Sequence, residues 1–238
     1  MRSRLHSYER MTEPILELDG VTKQYGALRP LRIEHLVVAA GEQIALLGFD
    51  QPAAEVLINL ITGASLPDTG QVRVFGRSTS EIVDSADWLT LLDRFGIVSE
   101  RAALLEPLTV IQNLAIPFGL EIEPPPPAIV RQASDLASEV GVTEASWERR
   151  VGDLDAALRM RVRLARALAL GPGLLLVEHP TVTLPPHEVA PFGRKLRAVA
   201  EARAAAVLSM TADPAYAASA SSRALRVEPA TGRLRSKI

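Results

Sequence analysis

Two short apolar runs constrain the fold of this 238-residue chain most strongly. The first, QIALLGF, begins at Gln43, and the second, LLLVEHP, begins at Leu174. A continuous apolar run bounded by turn residues is typical of a strand buried on both faces, as the strands of a parallel sheet are. Segments with helical spacing separate the runs, so we predict an α/β fold with a mostly parallel sheet and helices on both faces.

The remaining segments extend this pattern along the chain. Apolar and polar residues alternate at 15–21 and 31–38, which predicts half-buried strands near a sheet edge, and short strands are predicted at 72–75, 96–98, 204–210 and 225–227. Helices are predicted at 53–63, 110–119, 129–140, 154–170, 191–203 and 215–221. We predict an N-terminal extension at 1–13 and a single domain at 14–238, with a helical subdomain at about 83–168 inserted in its α/β core.

Composition excludes several classes of protein. The chain has 26 Lys and Arg residues against 28 Asp and Glu residues, and a net charge of −2 argues against a protein that coats nucleic acid. Cysteine is absent, which excludes disulfides, thiolate metal sites and cysteine nucleophiles. No apolar stretch approaches the roughly 20 residues that span a bilayer, and the N-terminus lacks the apolar core of a secretion signal. We therefore expect a cytoplasmic chain.

Four separate segments, in the same order, resemble the ATP-binding subunit of an ABC transporter. They are ILELDGVTKQYG at 15–26, TGASLPDTGQVRVFG at 62–76, LTVIQNLAIP at 108–117 and RVRLARALALGPGLLLVEHPT at 161–181. The resemblance covers residues 15 to about 234. It implies a P-loop NTPase-like fold: a mixed sheet core flanked by helices, with an antiparallel β edge and a helical subdomain.

The segment that resembles the family's phosphate-binding loop has lost most of the residues that this chemistry needs. Such a loop uses glycines that let backbone N–H groups approach the phosphates, a lysine for their charge and a hydroxyl for Mg²⁺. Here the loop reads GFDQPAAEV, in which only the first glycine remains. Asp50 and Glu55 also add negative charge where a polyphosphate would lie. The positions concerned are Gly48, Asp50, Gln51, Pro52, Ala53, Ala54 (in place of lysine), Glu55 and Val56.

The other motifs of the family are altered in the same way. Glu178 and His179 stand where the family has a metal-binding aspartate and a catalytic glutamate, and Ala212 stands where it has a histidine. Glu100 replaces the glutamine that links nucleotide to membrane subunit, and Tyr25 keeps the aromatic that stacks on adenine. The segment that resembles the signature motif is Leu154, Asp155, Ala156, Ala157 and Leu158.

Some of these residues allow two interpretations. Glu178, His179 and Glu55 could bind a divalent ion, although the favoured interpretation is that Glu178 pairs with a neighbouring arginine or stays partly hydrated. Tyr25 could stack on a ligand or only cover the sheet edge. The arginines at 159, 163 and 166 share a helical face and could bind an anion, although solvated charge is the favoured interpretation.

The strands and helices keep their apolar pattern while the phosphate-facing residues are lost. We therefore predict a pseudo-ATPase with no cofactor, other than ATP and Mg²⁺ if residual binding persists. It would act through partners, either an active ATP-binding subunit in a dimer or a membrane subunit docked near Ser99–Leu120. It would lie in the cytoplasm, peripheral at the inner face of the cell membrane. One alternative is a working ATP-hydrolysing subunit with atypical motifs. Another is a soluble regulator that binds a different ligand in the former nucleotide cleft.

Overall fold

The computed structural model describes residues 14–26 and 29–236, so the predicted extension at 1–13 lies outside the described residues. The strands are β1 (Pro14–Lys23), β2 (Leu31–Ala39), β3 (Gln43–Leu47), β4 (Thr69–Val74), β5 (Arg77–Ser78), β6 (Phe95–Val98), β7 (Leu174–Glu178), β8 (Ala206–Thr211), β9 (Arg223–Glu228) and β10 (Arg233–Ser236). The α-helices are α1 (Gln51–Ile61), α2 (Ser85–Leu92), α3 (Val110–Ala115), α4 (Pro127–Glu139), α5 (Ala156–Ala167), α6 (Pro186–Ala202) and α7 (Pro214–Ala220).

The central sheet has six strands in the order β10-β9-β3-β8-β7-β6. Strands β9, β3, β8, β7 and β6 pair in parallel, and β10 runs antiparallel to β9. Every residue of β3, β7 and β8 is buried, which explains their continuous apolar sequences. The predicted α/β fold with a mixed sheet is confirmed.

A second, antiparallel sheet has the order β2-β1-β4-β5. Leu16 and Leu18 of β1 are buried, while the residues between and beside them are less so, which accounts for the alternating sequence. The predicted antiparallel edge is therefore present, as a separate sheet that packs over α1 through a shared core.

The central sheet separates two apolar cores. Leu174 and Leu176 of β7 belong to the core shared with α1 and the antiparallel sheet. Leu175 and Val177 point to the opposite face, into the core built with α3, α4, α5 and α6. Within the described residues, no helix is long and apolar enough to cross a membrane.

Several predicted helix boundaries are wrong by two residues or more: α1 lies two residues earlier than predicted, α4 begins two residues earlier, and α5 ends three residues earlier. Helix α6 begins at Pro186 and contains Pro191, which was predicted as its first residue. Helix α5 begins two residues later than predicted, after the extended Leu154 and the capping Asp155. The α-helix predicted at 110–119 ends at Ala115 and continues only as a 3₁₀ turn, Ile116–Phe118, in which Pro117 lacks the N–H for a further α-helical bond. Strands β5 and β10 and helix α2 were not predicted.

Candidate functional site

The candidate site lies at the carboxyl ends of the parallel strands, where α/β sheets commonly bind ligands. The loop from β3 to α1 begins at Gly48, β6 leads into Ser99, and β7 ends at Glu178. Because β6 pairs with β7, the loop after β6 lies beside the end of β7. Side chains from three separate parts of the sequence therefore meet at one edge of the sheet.

A side chain of the loop before α1, that of Asp50, accepts a hydrogen bond from a backbone N–H at the N-terminus of the helix. Gly48 has a positive φ of 96°, and a Cβ there would come within 3.4 Å of the Val227 carbonyl oxygen, so glycine is favoured at this position. Asp50 caps α1, and its Oδ1 accepts a hydrogen bond from the Ala53 backbone N–H at 2.8 Å. Ala54 is fully buried in the core below the loop, and Val56 packs against the same core.

Glu178 is the most constrained charged group of the site, because its side chain is 0% exposed. Gln51 Nε2 donates a hydrogen bond to its Oε1 at 2.7 Å. Ser99 Oγ donates to its Oε2 at 2.7 Å, and Arg101 Nη2 donates to the same oxygen at 2.8 Å. Both carboxylate oxygens are thus engaged by the protein itself. The favoured prediction, an ion pair between Glu178 and a neighbouring arginine, is confirmed.

Arg101 joins two carboxylates. Its Nη1 lies 2.8 Å from Glu55 Oε1, while Nε and Nη2 contact Glu178. Burial of Arg101 disfavours its charged form, but the hydrogen bond and negative charge of Glu178, together with those of Glu55, outweigh this effect and raise the pKa of Arg101. The guanidinium is therefore a partly exposed cation, supplied by the protein itself, that bridges α1 and β7.

The loop at 99–103 is also fastened to α5. Glu100 Oε2 lies 2.8 Å from Arg163 Nη2, and Thr183 Oγ1 donates to Glu100 Oε1 at 2.7 Å. Arg166 Nη1 donates to the Ala103 carbonyl at 2.7 Å. Burial lowers the pKa of both Arg163 and Arg166. The prediction of solvated charge, made for Arg159, Arg163 and Arg166, is wrong for Arg163 and Arg166, because these two hold the loop in place.

His179 and Ala212 do not complete a cluster around Glu178. His179 has a positive φ of 41°, its N–H donates to the Met210 carbonyl at 2.9 Å, and its Nε2 is buried without a hydrogen-bond partner. Ala212 is exposed just after β8. Among the described residues, no three His, Asp or Glu side chains are placed to hold a metal ion together.

A cavity of about 620 Å³ opens on the other side of the β3–α1 loop. Tyr25 lines it, half-buried against the apolar core. Burial, and then the negative charge of Asp50, raise the pKa of Tyr25 above its usual value. Gly48, Asp50, Pro52 and Ala53 also line the cavity, so it brings together five of the predicted residues.

The segment at 154–158 begins α5. Asp155 caps this helix, and its Oδ1 accepts from the Leu158 N–H at 2.8 Å. Leu154 is buried, while Ala156, Ala157 and Leu158 form the first turn. Within the described residues, none of the five forms a hydrogen bond to Glu178 or Arg101.

Sequence analysis did not identify Arg101, Ser99 or Thr183 as site residues. A serine and a charged pair directly after a short apolar strand are a signal that could have found the first two, because that position lies at the carboxyl edge of a parallel sheet.

Comparison with known proteins places these observations in a family. The family model described as "ABC transporter" matches residues 33–182. The lipoprotein-releasing system ATP-binding protein LolD of Chromohalobacter salexigens is 30% identical over 210 residues, which cover 87% of this chain and 88% of that protein. The sulfate/thiosulfate import ATP-binding protein CysA of Methylococcus capsulatus is 31% identical over 169 residues, covering 69% of this chain and 46% of that protein, so the match spans just under half its length.

The fold is that of solved ATP-binding cassettes. The dimeric post-hydrolysis structure of the cassette MJ0796 bound to ADP and Pi matches with a TM-score of 0.75, at 20% identity, covering 93% of this chain and 98% of that chain.

Proposed function

The chain belongs to the ABC transporter family, in its ATP-binding domain, and from this membership we propose that it is a pseudo-ATPase that serves as a non-catalytic subunit of a transporter complex. The observation that carries the proposal is the Glu178–Arg101 ion pair. It places an internal cation at the carboxylate that would otherwise be available for Mg²⁺.

The residues present do not fit Mg·ATP. Oε2 of Glu178 already accepts hydrogen bonds from Ser99 and Arg101, Oε1 accepts one from Gln51, and the positive charge of Arg101 would repel a Mg²⁺ ion at this carboxylate. A phosphate at the start of α1 needs free N–H donors, whereas the Ala53 N–H is taken by Asp50 and Pro52 has none.

Charge opposes the nucleotide as well. Asp50 caps α1, Glu55 lies beyond the first turn and is paired with Arg101, and alanine stands at position 54 where the family has lysine. Two like charges about 4 Å apart repel by on the order of 4 kcal/mol at an effective dielectric constant near 20. One such contact with a phosphate would weaken binding by roughly a thousandfold.

The proposed role is association. Leu105 is 46% exposed and Leu120 is 98% exposed, while Val110 and Leu114 between them are buried. This segment can therefore present apolar side chains to a partner from a rigid base. We propose a membrane subunit, an active ATP-binding subunit or both as partners, in a homodimer or heterodimer located at the cytoplasmic face of the membrane.

Two alternatives retain specific support. Family membership and Tyr25 favour a working ATP-hydrolysing subunit, and Ala54 argues against it. The cavity beside Tyr25 favours a regulator that binds another ligand.

Copurification from the native host tests the association. We expect the tagged chain to retain a membrane or ATP-binding subunit and Leu105→Glu to lose it, with an unchanged melting temperature because an exposed substitution shifts stability by about 0.5 kcal/mol or less. Leu170→Glu is the matched control, since Leu170 is 53% exposed outside this segment. If the Leu105→Glu and Leu120→Glu variants both retain the partner, the proposal that this segment docks the partner is contradicted.

A further inference from the structure

The cavity beside Tyr25 has the size and wall of a small-molecule site. Its volume of about 620 Å³ falls within the range of roughly 300–1,000 Å³ that is usual for ligand pockets. Leu31, Phe49 and Val227 are buried core residues that also line it, so its inner wall is apolar and fixed. Pro30 and Pro52 stiffen the lining.

The charged groups of the lining favour one negative charge on the ligand. Among the described residues that line the cavity, there are two guanidinium groups, those of Arg29 and Arg32, and one carboxylate, that of Asp50. Arg32 is held by the hydrogen bond that its Nη1 donates to the Ala230 carbonyl at 2.7 Å, and Asp50 is held by the Ala53 N–H. The phenolic hydroxyl of Tyr25, whose pKa burial and Asp50 raise further, can donate a hydrogen bond.

A polyphosphate is excluded by what lies next to the cavity. Asp50 caps α1, and the carboxylates of Glu55 and Glu178 share one guanidinium, that of Arg101. A chain of phosphates extending from the cavity would have to displace Arg101 or lie against these carboxylates. A ligand without phosphates meets neither obstacle.

We propose that this cavity binds an aromatic molecule with one negative charge, its ring system against Tyr25 and Phe49 and its anionic group at Arg29. The aromatic walls supply most of the contact area, and the guanidinium forms a charge-assisted hydrogen bond with the anion. The exclusion of ATP rests on the proposed function, whereas the selection of an aromatic anion rests on the cavity alone.

The test uses 1-anilinonaphthalene-8-sulfonate, an aromatic anion whose fluorescence rises in apolar sites, titrated into the full chain. We expect saturable binding of one probe per chain. 2-Naphthoate should displace the probe at a concentration at least tenfold lower than the neutral 2-naphthalenemethanol requires. Mg·ATP should not displace the probe.

Two variants locate the binding. Arg29→Ala should weaken the binding of 2-naphthoate by about tenfold and leave the affinity for 2-naphthalenemethanol unchanged, as expected for the loss of one charge-assisted hydrogen bond. Arg226→Ala is the matched control, because Arg226 is an exposed arginine on β9 that does not line the cavity. Ala53→Phe, which fills the cavity, should abolish binding of both competitors, with folding checked by circular dichroism.

The two proposals fail in different ways. Absent or non-saturable probe binding, or equal displacement by the acid and the alcohol, would overturn the aromatic-anion site and leave the pseudo-ATPase proposal standing. Displacement of the probe by micromolar Mg·ATP would overturn the exclusion of nucleotide and the proposed function together.

Discussion

Replacing Arg101 with alanine removes the cation that faces Glu178. The side chain of Glu178 is 0% exposed, and it would keep hydrogen bonds from only Gln51 and Ser99. Removing one partner of a buried ion pair costs about 3–5 kcal/mol, since the other charge stays desolvated and unpaired. The Arg101 side chain is 43% exposed, so water can enter the vacated space and lower this cost. We expect a loss of about 2–3 kcal/mol in the free energy of unfolding.

Thermal and urea denaturation measure this loss. For a chain of this size, about 1 kcal/mol corresponds to roughly 2–4 °C, so Arg101→Ala should melt about 5–10 °C lower. The double variant Arg101→Ala with Glu178→Gln should recover part of the loss, because a neutral amide replaces the unpaired charge. Arg73→Ala is the matched control: its side chain is 45% exposed, but its partner Glu17 is 40% exposed and 4.0 Å away.

The control should lose at most about 1 kcal/mol, as exposed ion pairs do. Equal losses for Arg101→Ala and Arg73→Ala would refute the reasoning, because Glu178 would then tolerate the loss of its internal cation. Complete additivity of the Arg101 and Glu178 substitutions would refute it as well.

Two further predictions test single positions. Ala54→Lys alone should not give ATP binding by calorimetry, because the carboxylates of Asp50 and Glu55 remain. It should also lower the melting temperature, because position 54 is fully buried. Micromolar affinity for ATP would contradict this prediction. The hydrogen bonds from Arg77 and from the Val83 N–H lower the pKa of Asp87. These bonds therefore stabilise the folded protein fully at a pH above the ordinary aspartate pKa, and this stabilisation is lost as the pH falls through the lowered pKa of Asp87. An NMR titration of Arg77→Ala should show the Asp87 pKa moving up, and no movement would contradict the assignment.

The parts of the fold that were predictable from sequence are those where burial leaves a local pattern. Strands β3 and β7 are buried on both faces, so their sequences are continuous and apolar. The start of α6 was missed because Pro191 lies inside the helix, where packing against the second core outweighs the lost hydrogen bond.

The site was only partly predictable for a different reason. The sequence indicated that Glu178 would pair with an arginine, but not that Arg101 would be the partner. These residues are 77 positions apart, and they meet only because β6 and β7 pair in parallel. That pairing is long-range and leaves no trace in the local sequence around Arg101.

Isothermal titration of the purified chain with Mg·ATP tests the central claim most directly. The account predicts no saturable heat, and no shift in melting temperature with millimolar Mg·ATP. A site of micromolar affinity would instead bind one ATP per chain and stabilise the fold by about 4 kcal/mol at millimolar ligand. Such a titration curve would show that Arg101 yields to the nucleotide, and it would contradict the proposal that the phosphate site is closed.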